Sequence, residues 1–266
     1  MPGYVDDLSL AHVLADSADA ISLRRFRSLD LHVKEKPDLT PVSDADTAVE
    51  RSLRSTLART RPRDAVFGEE FGATEAPAGP GHRRWVIDPI DGTKNYIRGV
   101  PIWATLIALM EGDQVVVGLV SAPALGRRWW AAVGHGAYAG RHVAAATPIR
   151  VSAVRRLADA SFCYSELPAW DEIDRLPAML EIMNRCWRSR AYGDFYGYML
   201  VAEGAVDIMV EPELSLWDLA ALVPIVTEAG GTFTDLAGQP GPAGGSAVAT
   251  NGALHADVLD RLAYRG

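Results

Sequence analysis

The sequence predicts a layered α/β (α+β) protein, and three observations carry that expectation. The N-terminal sixty residues hold two stretches with apolar positions at helical spacing. Between residues 65 and 138, short apolar runs bounded by Gly, Pro and Asp read as strands. Beyond residue 150 helices and strands alternate again, and no fixed-period repeat runs through the chain.

In chain order, Leu8, Ala11, Leu14, Ala18 and Ile21 follow Asp6 and Asp7 and predict a helix over roughly 6–27. Lys36–Val42 reads as a turn-rich segment. Ser43, with Asp46 three residues on, reads as a capping box for a second helix that carries Ala45, Ala48, Val49, Leu53 and Leu57 and ends near Arg61-Pro62. Strands are predicted at 65–67 and 85–87, separated by a loop over 74–81, then at 104–110 and 115–120 around the turn Glu111-Gly112-Asp113. A second hairpin fits Trp129–Val133 and Gly134–Tyr138. Ser161–Tyr164 and 207–210 read as strands, and 173–187, 195–204 and 217–229 as helices. Gly230-Gly231 ends the last of these, while Pro224 inside it predicts a kink or a later start. Thr232–Thr234 and Ala247–Thr250 read as strands and 255–264 as a terminal helix.

The 266 residues suffice for one large domain or two small ones sharing an interface. We expect one compact unit of two halves: an α+β half over 1–150, and an α/β half over 151–266. Hydrophobic residues at 48% and charged residues at 23% are those of a soluble globular protein, and no apolar run approaches the roughly 20 residues that span a bilayer. Met1–Asp7 lacks the basic start and apolar stretch of a secretory signal. Cys163 and Cys186 read as buried thiols of a reducing cytosol, so a cytoplasmic location is expected. The net charge of −8 argues against a nucleic-acid partner but not against an anionic substrate, because a carboxylate cluster holding cations reverses its local charge. Lysine occurs only at 34, 36 and 94, which marks Lys36 and Lys94 as candidates for local roles. His32, His82, His135, His142 and His255 read as surface or packing residues.

The strongest local signal is Trp85-Val86-Ile87-Asp88-Pro89-Ile90-Asp91-Gly92-Thr93. Two aspartates three apart follow a buried strand, with Pro and Gly shaping the turn. Such a turn can aim both carboxylates and an intervening carbonyl at one point, the donor set a hard divalent cation takes. Without a cation the same crowding would raise at least one pKa. Gly92-Thr93 would then open a short helix through Lys94-Asn95-Tyr96, whose first amides suit a phosphate. A proline turn capped by aspartates explains the same spacing without a metal. Gly68-Glu69-Glu70 also follows an apolar strand, although a solvated acidic pair looks the same. Trp217-Asp218 puts an acid in the first turn of an apolar helix, where a simple cap would also put one.

Together, Gly68-Glu69-Glu70, Trp85 to Thr93, and Trp217-Asp218 through Ala229-Gly230-Gly231 resemble the inositol monophosphatase-like family, in order and spacing, over nearly the whole chain. The resemblance implies an α-β-α-β-α sandwich and Mg2+-dependent hydrolysis of a phosphate monoester by in-line attack of metal-activated water. It implies metal ligation by Glu69, Asp88, the Ile90 carbonyl, Asp91 and Asp218, for two ions with room for a third, weaker one. Thr93 matches the threonine that orients the attacking water together with the glutamate, and Asp46 the aspartate that hydrogen-bonds it. It also implies a homodimer.

Substrate choice rests on Arg190-Ala191-Tyr192-Gly193-Asp194-Phe195-Tyr196-Gly197-Tyr198. Inositol-specific relatives carry small residues after this glycine, with Ser or Thr in place of Asp194. A carboxylate there suits a cationic substrate, and nearby aromatic faces can stack on a ring. This stretch, with Asp91 to Trp103, resembles the branch of the family that hydrolyses histidinol phosphate in histidine biosynthesis. Gly92, Thr93, Asn95, Arg190, Asp194, Glu211 and Asp218 are the expected substrate contacts, Glu211 as a second anchor for the ammonium. An N-cap role for Asp194, core packing for Tyr196 and Tyr198, and an ion pair for Arg190 are the plainer readings. An inositol-1-phosphate or broad sugar phosphatase, and a regulatory binding protein on the same fold, are the rival functions.

Overall fold

The computed structural model describes residues 4–37, 39–74 and 82–263. Helix α1 (Val5–Arg25) has Asp6 and Asp7 in its first turn and Arg24 and Arg25 in its last, each favourable to the helix dipole. A small hairpin, β1 (Val33–Glu35) and β2 (Pro41–Ser43), leads into α2 (Asp44–Thr60). The hairpin occupies the expected turn segment, of which Asp38 lies outside the described residues. Ser43 and Asp46 form the capping box that starts α2.

Strands β3 (Ala65–Gly68), β4 (Gly72–Ala73) and β5 (Arg83–Asp91) follow, then α3 (Thr93–Arg98), β6 (Ala104–Glu111), β7 (Gln114–Ala122), β8 (Arg127–Ala132), β9 (Ala137–Gly140) and β10 (Thr147–Pro148). The loop expected at 74–81 lies, from residue 75 on, outside the described residues. These strands make one eight-stranded sheet in the order β10-β9-β8-β7-β6-β5-β3-β4, antiparallel except for β3 beside β5.

The second part comprises β11 (Ser161–Tyr164), α4 (Pro168–Glu172), α5 (Leu176–Arg185), β12 (Arg188–Arg190), α6 (Asp194–Ala202), β13 (Ile208–Glu211), α7 (Leu216–Ala220), α8 (Leu222–Glu228), β14 (Thr232–Thr234), β15 (Ala247–Thr250) and α9 (His255–Ala263). Its sheet runs β12-β11-β13-β15-β14, with β11 parallel to both neighbours. The helix expected over 173–187 is α5 alone, three residues later at its start, and the short α4 ends before that range at Glu172. Asp174 takes the left-handed region at φ 57°, and Pro177 stands in the first turn of α5. The helix expected over 217–229 breaks at Ala221, because Pro224 has no N–H to offer the carbonyl four residues back. Of the terminal helix expected to reach 264, the part through Ala263 is described.

Alternating side chains build the layers. On β5, Trp85 and Ile87 face α1 and α2, packing with Leu14, Ala18, Val49 and Leu53. Val86, with Leu106 of β6 and Trp129 of β8, faces Phe195, Met199, Leu222 and Ile225 of α6 and α8. The same central helices cover Met209 and Phe233 of the second sheet, whose far face buries Ile208, Val210 and Val248 against Trp170, Met179 and Val258. The result is an α-β-α-β-α stack in which both sheets are covered on both faces. That is why their strands read as continuous apolar runs. Each large apolar side chain so buried contributes about 2 kcal/mol. Among the described residues no helix is long and apolar enough to cross a membrane.

The central helices approach the first sheet at Gly118. A Cβ there would lie 2.3 Å from the Ala221 carbonyl oxygen and 2.6 Å from Pro224 Cγ. Gly118→Ala is therefore expected to destabilise the protein by about 2 kcal/mol, since backbone must move to admit it. Urea unfolding measures this, and an unchanged midpoint would contradict the close approach.

Candidate active site

Strands β3 and β5 are parallel neighbours, as are β11 and β13, and both pairs point their carboxyl ends at one place. Glu69 follows β3, Asp88 and Asp91 end β5, Ser165 follows β11 and Glu211 ends β13. Helices α6 and α7 start there and bring Asp194 and Asp218.

Asp88 and Asp91 are three apart, so strict alternation would turn them to opposite faces. The register prevents this. Asp88 pairs with Leu106 and Asp91 with Ala104, which leaves one extra residue in β5. The Thr105 hydroxyl secures the bulge by donating to the Pro89 carbonyl at 2.8 Å, and Ile90 is buried with Ala45, Tyr96 and Trp103. As a result Asp88, Asp91 and Asp218 each present an oxygen within 4.8 Å of the others. Asp218 also caps its own helix, accepting the Ser215 N–H at 2.7 Å, so the cap and the cluster are one residue.

Charge crowding at this point is severe. Burial, then Glu69, Asp91 and Asp218, push the Asp88 pKa well above the ordinary carboxylate value. Burial, then Asp194 and Asp218, do the same to Asp91. Burial raises Asp218 to about 7. Asp88 Oδ1 is buried and has no hydrogen-bond partner among the described residues. A set of hard oxygens that repel one another, one of them unpartnered, fits a divalent cation.

Glu69 stands beside this cluster, and Lys36 from the loop between β1 and β2 holds it at 2.6 Å. The same ammonium lies 2.7 Å from Glu70. Lys36 thus has the local role its rarity suggested. Behind it, the buried Glu50 carboxylate accepts the Glu70 N–H at 2.8 Å and the Phe71 N–H at 3.2 Å and pairs with Arg54 at 2.7 Å. Gly68 is required here, because a Cβ would lie 2.2 Å from Glu50 Oε1. Sequence reading passed over Glu50, although its place four residues after Asp46 on α2 puts both acids on one helix face.

Thr93 Oγ1 lies 3.2 Å from Asp46 Oδ1 and 2.9 Å from the Ile90 carbonyl, and its one proton serves either. Asp46 is fully buried, accepts the Ser43 N–H at 2.9 Å, and is raised by burial to about 6. Gly92, at φ 80°, precedes α3 with its backbone against Ile102 and Asp194. A Cβ would lie 3.1 Å from the Ile102 carbonyl and 3.3 Å from Asp194 Oδ2.

Asp194 is held at φ 46°, a left-handed conformation that costs a non-glycine residue about 1–3 kcal/mol. Its carboxylate accepts the Asn95 amide at 2.9 Å, and its N–H donates to Ser165 Oγ at 3.1 Å. The next amide, Phe195, donates to Asp91 Oδ2 at 2.7 Å, tying the start of α6 to the cluster. Burial raises Asp194 to about 6, against the lowering effect of Lys94. Glu211 is buried and bonded by the hydroxyls of Ser165 and Tyr198. Burial raises it to about 8, and Asp194 and Asp218 add to that. Ser165 and Tyr198 were not singled out from sequence as polar partners. Arg190 is exposed and donates to the Ser189 carbonyl at 2.7 Å, and no hydrogen bond among the described residues joins it to the acids. His255 is buried between the hydroxyls of Thr234 and Thr250, and His12 packs edge-on against Trp130.

A profile of the inositol monophosphatase family matches residues 7–263. The chain is 62% identical to the histidinol-phosphatase of Streptomyces coelicolor, with 100% of each chain covered. It is 56% identical to the histidinol-phosphatase of Mycobacterium tuberculosis over 97% of this chain and 98% of the other. A solved inositol monophosphatase from Zymomonas mobilis superposes with a TM-score of 0.85 at 32% identity, covering 99% of this chain and all of the other.

A carboxyl group whose folded pKa is raised stabilises the fold fully below its unfolded value. That contribution is lost as pH rises through the folded value. With Asp218 at about 7 and Glu211 at about 8, the metal-free protein should lose thermal stability steadily from about pH 4 to about pH 8. An added divalent cation should restore much of the loss at pH 8 and little at pH 5. Melting curves in chelator and in magnesium measure this, and a flat profile in chelator would contradict the crowding.

Proposed function

The chain belongs to the inositol monophosphatase family, and from that premise we propose that it is a magnesium-dependent histidinol-phosphatase, converting histidinol phosphate and water to histidinol and phosphate in histidine biosynthesis. One observation carries the substrate reading. Two further carboxylates, the half-buried Asp194 and the buried Glu211, border the aspartate cluster and add to its crowding. A neutral polyol can hydrogen-bond to them but cannot offset their charge. A substrate with an amine and an imidazole supplies the positive charge that makes them an asset.

In this reading Glu69, Asp88, the Ile90 carbonyl, Asp91 and Asp218 hold two magnesium ions, with room for a third. Bound magnesium would neutralise the phosphate charge and lower the pKa of water. Thr93 donates its proton to Asp46 or to the Ile90 carbonyl, so its oxygen is left to accept one from the attacking water, which Glu69 would help to orient. Gly92 and Thr93 turn backbone amides at the start of α3 toward the phosphate. Asn95 orients Asp194 by its amide, and Asp194 and Glu211 take the cationic end. Arg190 is exposed at the end of β12, and its contact to substrate needs the side chain to swing from the Ser189 carbonyl.

The same reading includes a homodimer in the cytoplasm. Trp187 is 68% exposed beside β12, the edge strand of the second sheet, a surface that a second copy would cover. Cys163 and Cys186 are free thiols, in keeping with a reducing compartment.

Asp91→Asn is expected to lower kcat by more than about 1,000-fold in magnesium with melting temperature and circular dichroism retained. Phosphate release measures it, and retained turnover would remove Asp91 from the metal site. Wild-type protein should prefer histidinol phosphate to inositol 1-phosphate. A tenfold preference the other way would favour the inositol-specific branch. Asp194→Ala should raise KM for histidinol phosphate by about tenfold or more while sparing inositol 1-phosphate. Equal losses on both esters would take Asp194 out of substrate choice.

A further inference from the structure

We propose that Tyr198 is a positioning residue for substrate recognition, its hydroxyl and that of Ser165 fixing the Glu211 carboxyl group beside Asp194 so that two acids meet one cationic group. The proposal rests on the reading of histidinol phosphate as substrate.

Tyr198 follows Asp194 by four residues, one turn into α6. Its ring is 1% exposed and stacks on Phe233 with centroids 5.6 Å apart. A tyrosine buried this deeply needs a partner for its O–H, and the partner is Glu211 Oε2 at 2.6 Å. The other oxygen, Oε1, accepts the Ser165 hydroxyl. Ser165 in turn accepts the Asp194 N–H at 3.1 Å. One serine therefore touches the Glu211 carboxylate and the Asp194 backbone, and one helix carries Asp194 together with the hydroxyl that holds Glu211. A glutamate bonded at both oxygens loses the freedom of its side-chain torsions before the substrate arrives, so binding does not have to supply that ordering.

Parity on β13 explains why this acid can be reached. Ile208 and Val210 face the outer helices, and Met209 and Glu211 face α6. Met209 leaves no space for a side chain at position 197, where a Cβ would lie 2.5 Å from its sulfur. Gly197 thus lets the helix approach closely enough for its next residue, Tyr198, to reach the strand end. The aromatic at 198 is the polar end of a fixed strut as well as a packing residue.

Kinetics with histidinol phosphate and with glycerol 2-phosphate, which carries no cationic group, test the proposal in magnesium-loaded protein. Tyr198→Phe keeps the ring and its stack. It is expected to raise KM for histidinol phosphate about tenfold, as for one hydrogen bond to a charged group. The kcat for that ester should stay within about twofold, and KM for glycerol 2-phosphate should not move. Ser165→Ala should give the same split through the other oxygen and serves if Tyr198→Phe fails to fold. Phe233→Leu, which disturbs the ring without touching the hydroxyl, should lower the melting temperature and leave the ratio of the two KM values unchanged. Loss on both esters alike, or on neither, in both hydroxyl variants would reduce Tyr198 to packing. Wild-type protein with no preference between the esters would instead overturn the substrate reading beneath it.

Discussion

Mutual repulsion among clustered carboxylates is the constraint around which this structure is arranged. Asp88, Asp91 and Asp218 are gathered at the ends of strands and the start of a helix, with Asp194, Glu211 and Glu69 close by. In a site shielded from water, each negative charge makes the next more costly to ionise. The chain offsets this locally with the Phe195 and Ser215 amides and with the Lys36 ammonium. In the proposed reading the remainder is left to cations, from metals on one side and from the substrate on the other.

Holding the acids in place uses several small departures from regular geometry. The bulge in β5 turns Asp91 to the side of Asp88. Gly68 admits the Glu50 carboxylate beneath Glu69, and Gly92 admits Asp194. Asp194 itself sits in a left-handed conformation that most residues avoid. Each costs stability, and the two-sided burial of both sheets supplies the margin. The strain is concentrated where charge is to be recognised, while the outer helices α4, α5 and α9 simply cover a sheet face.

Residues with a local signature were legible in the sequence. The capping box of Ser43 and Asp46 was read from spacing alone, as were the strands at 232–234 and 247–250, and Pro224 announced the break between α7 and α8. The hairpin β1–β2 and the edge strand β12 escaped notice. Three-residue strands are too short to show alternation, and what makes them strands is the neighbour they pair with. The helix read from 173 begins only at Leu176, because apolar spacing does not reveal the positive φ at Asp174. Arg190 was marked by its charge, yet charge does not tell which way a side chain turns, and this one lies along its own backbone.

The sequence by itself determined the layered architecture, from the alternation of periodicities, and marked Asp88, Asp91, Glu69 and Asp218 by local signals that the family resemblance joined into one set. Only the tertiary structure decided which oxygens share a space, that Lys36 stands against Glu69, that Glu50 supports the loop behind it, and that Tyr198 and Ser165 hold Glu211. Those contacts join residues from 13 to 46 positions apart on different strands, helices and loops. A hydrogen bond is set by distances of a few ångströms, and such distances exist only once the sheets have registered and the central helices have packed between them.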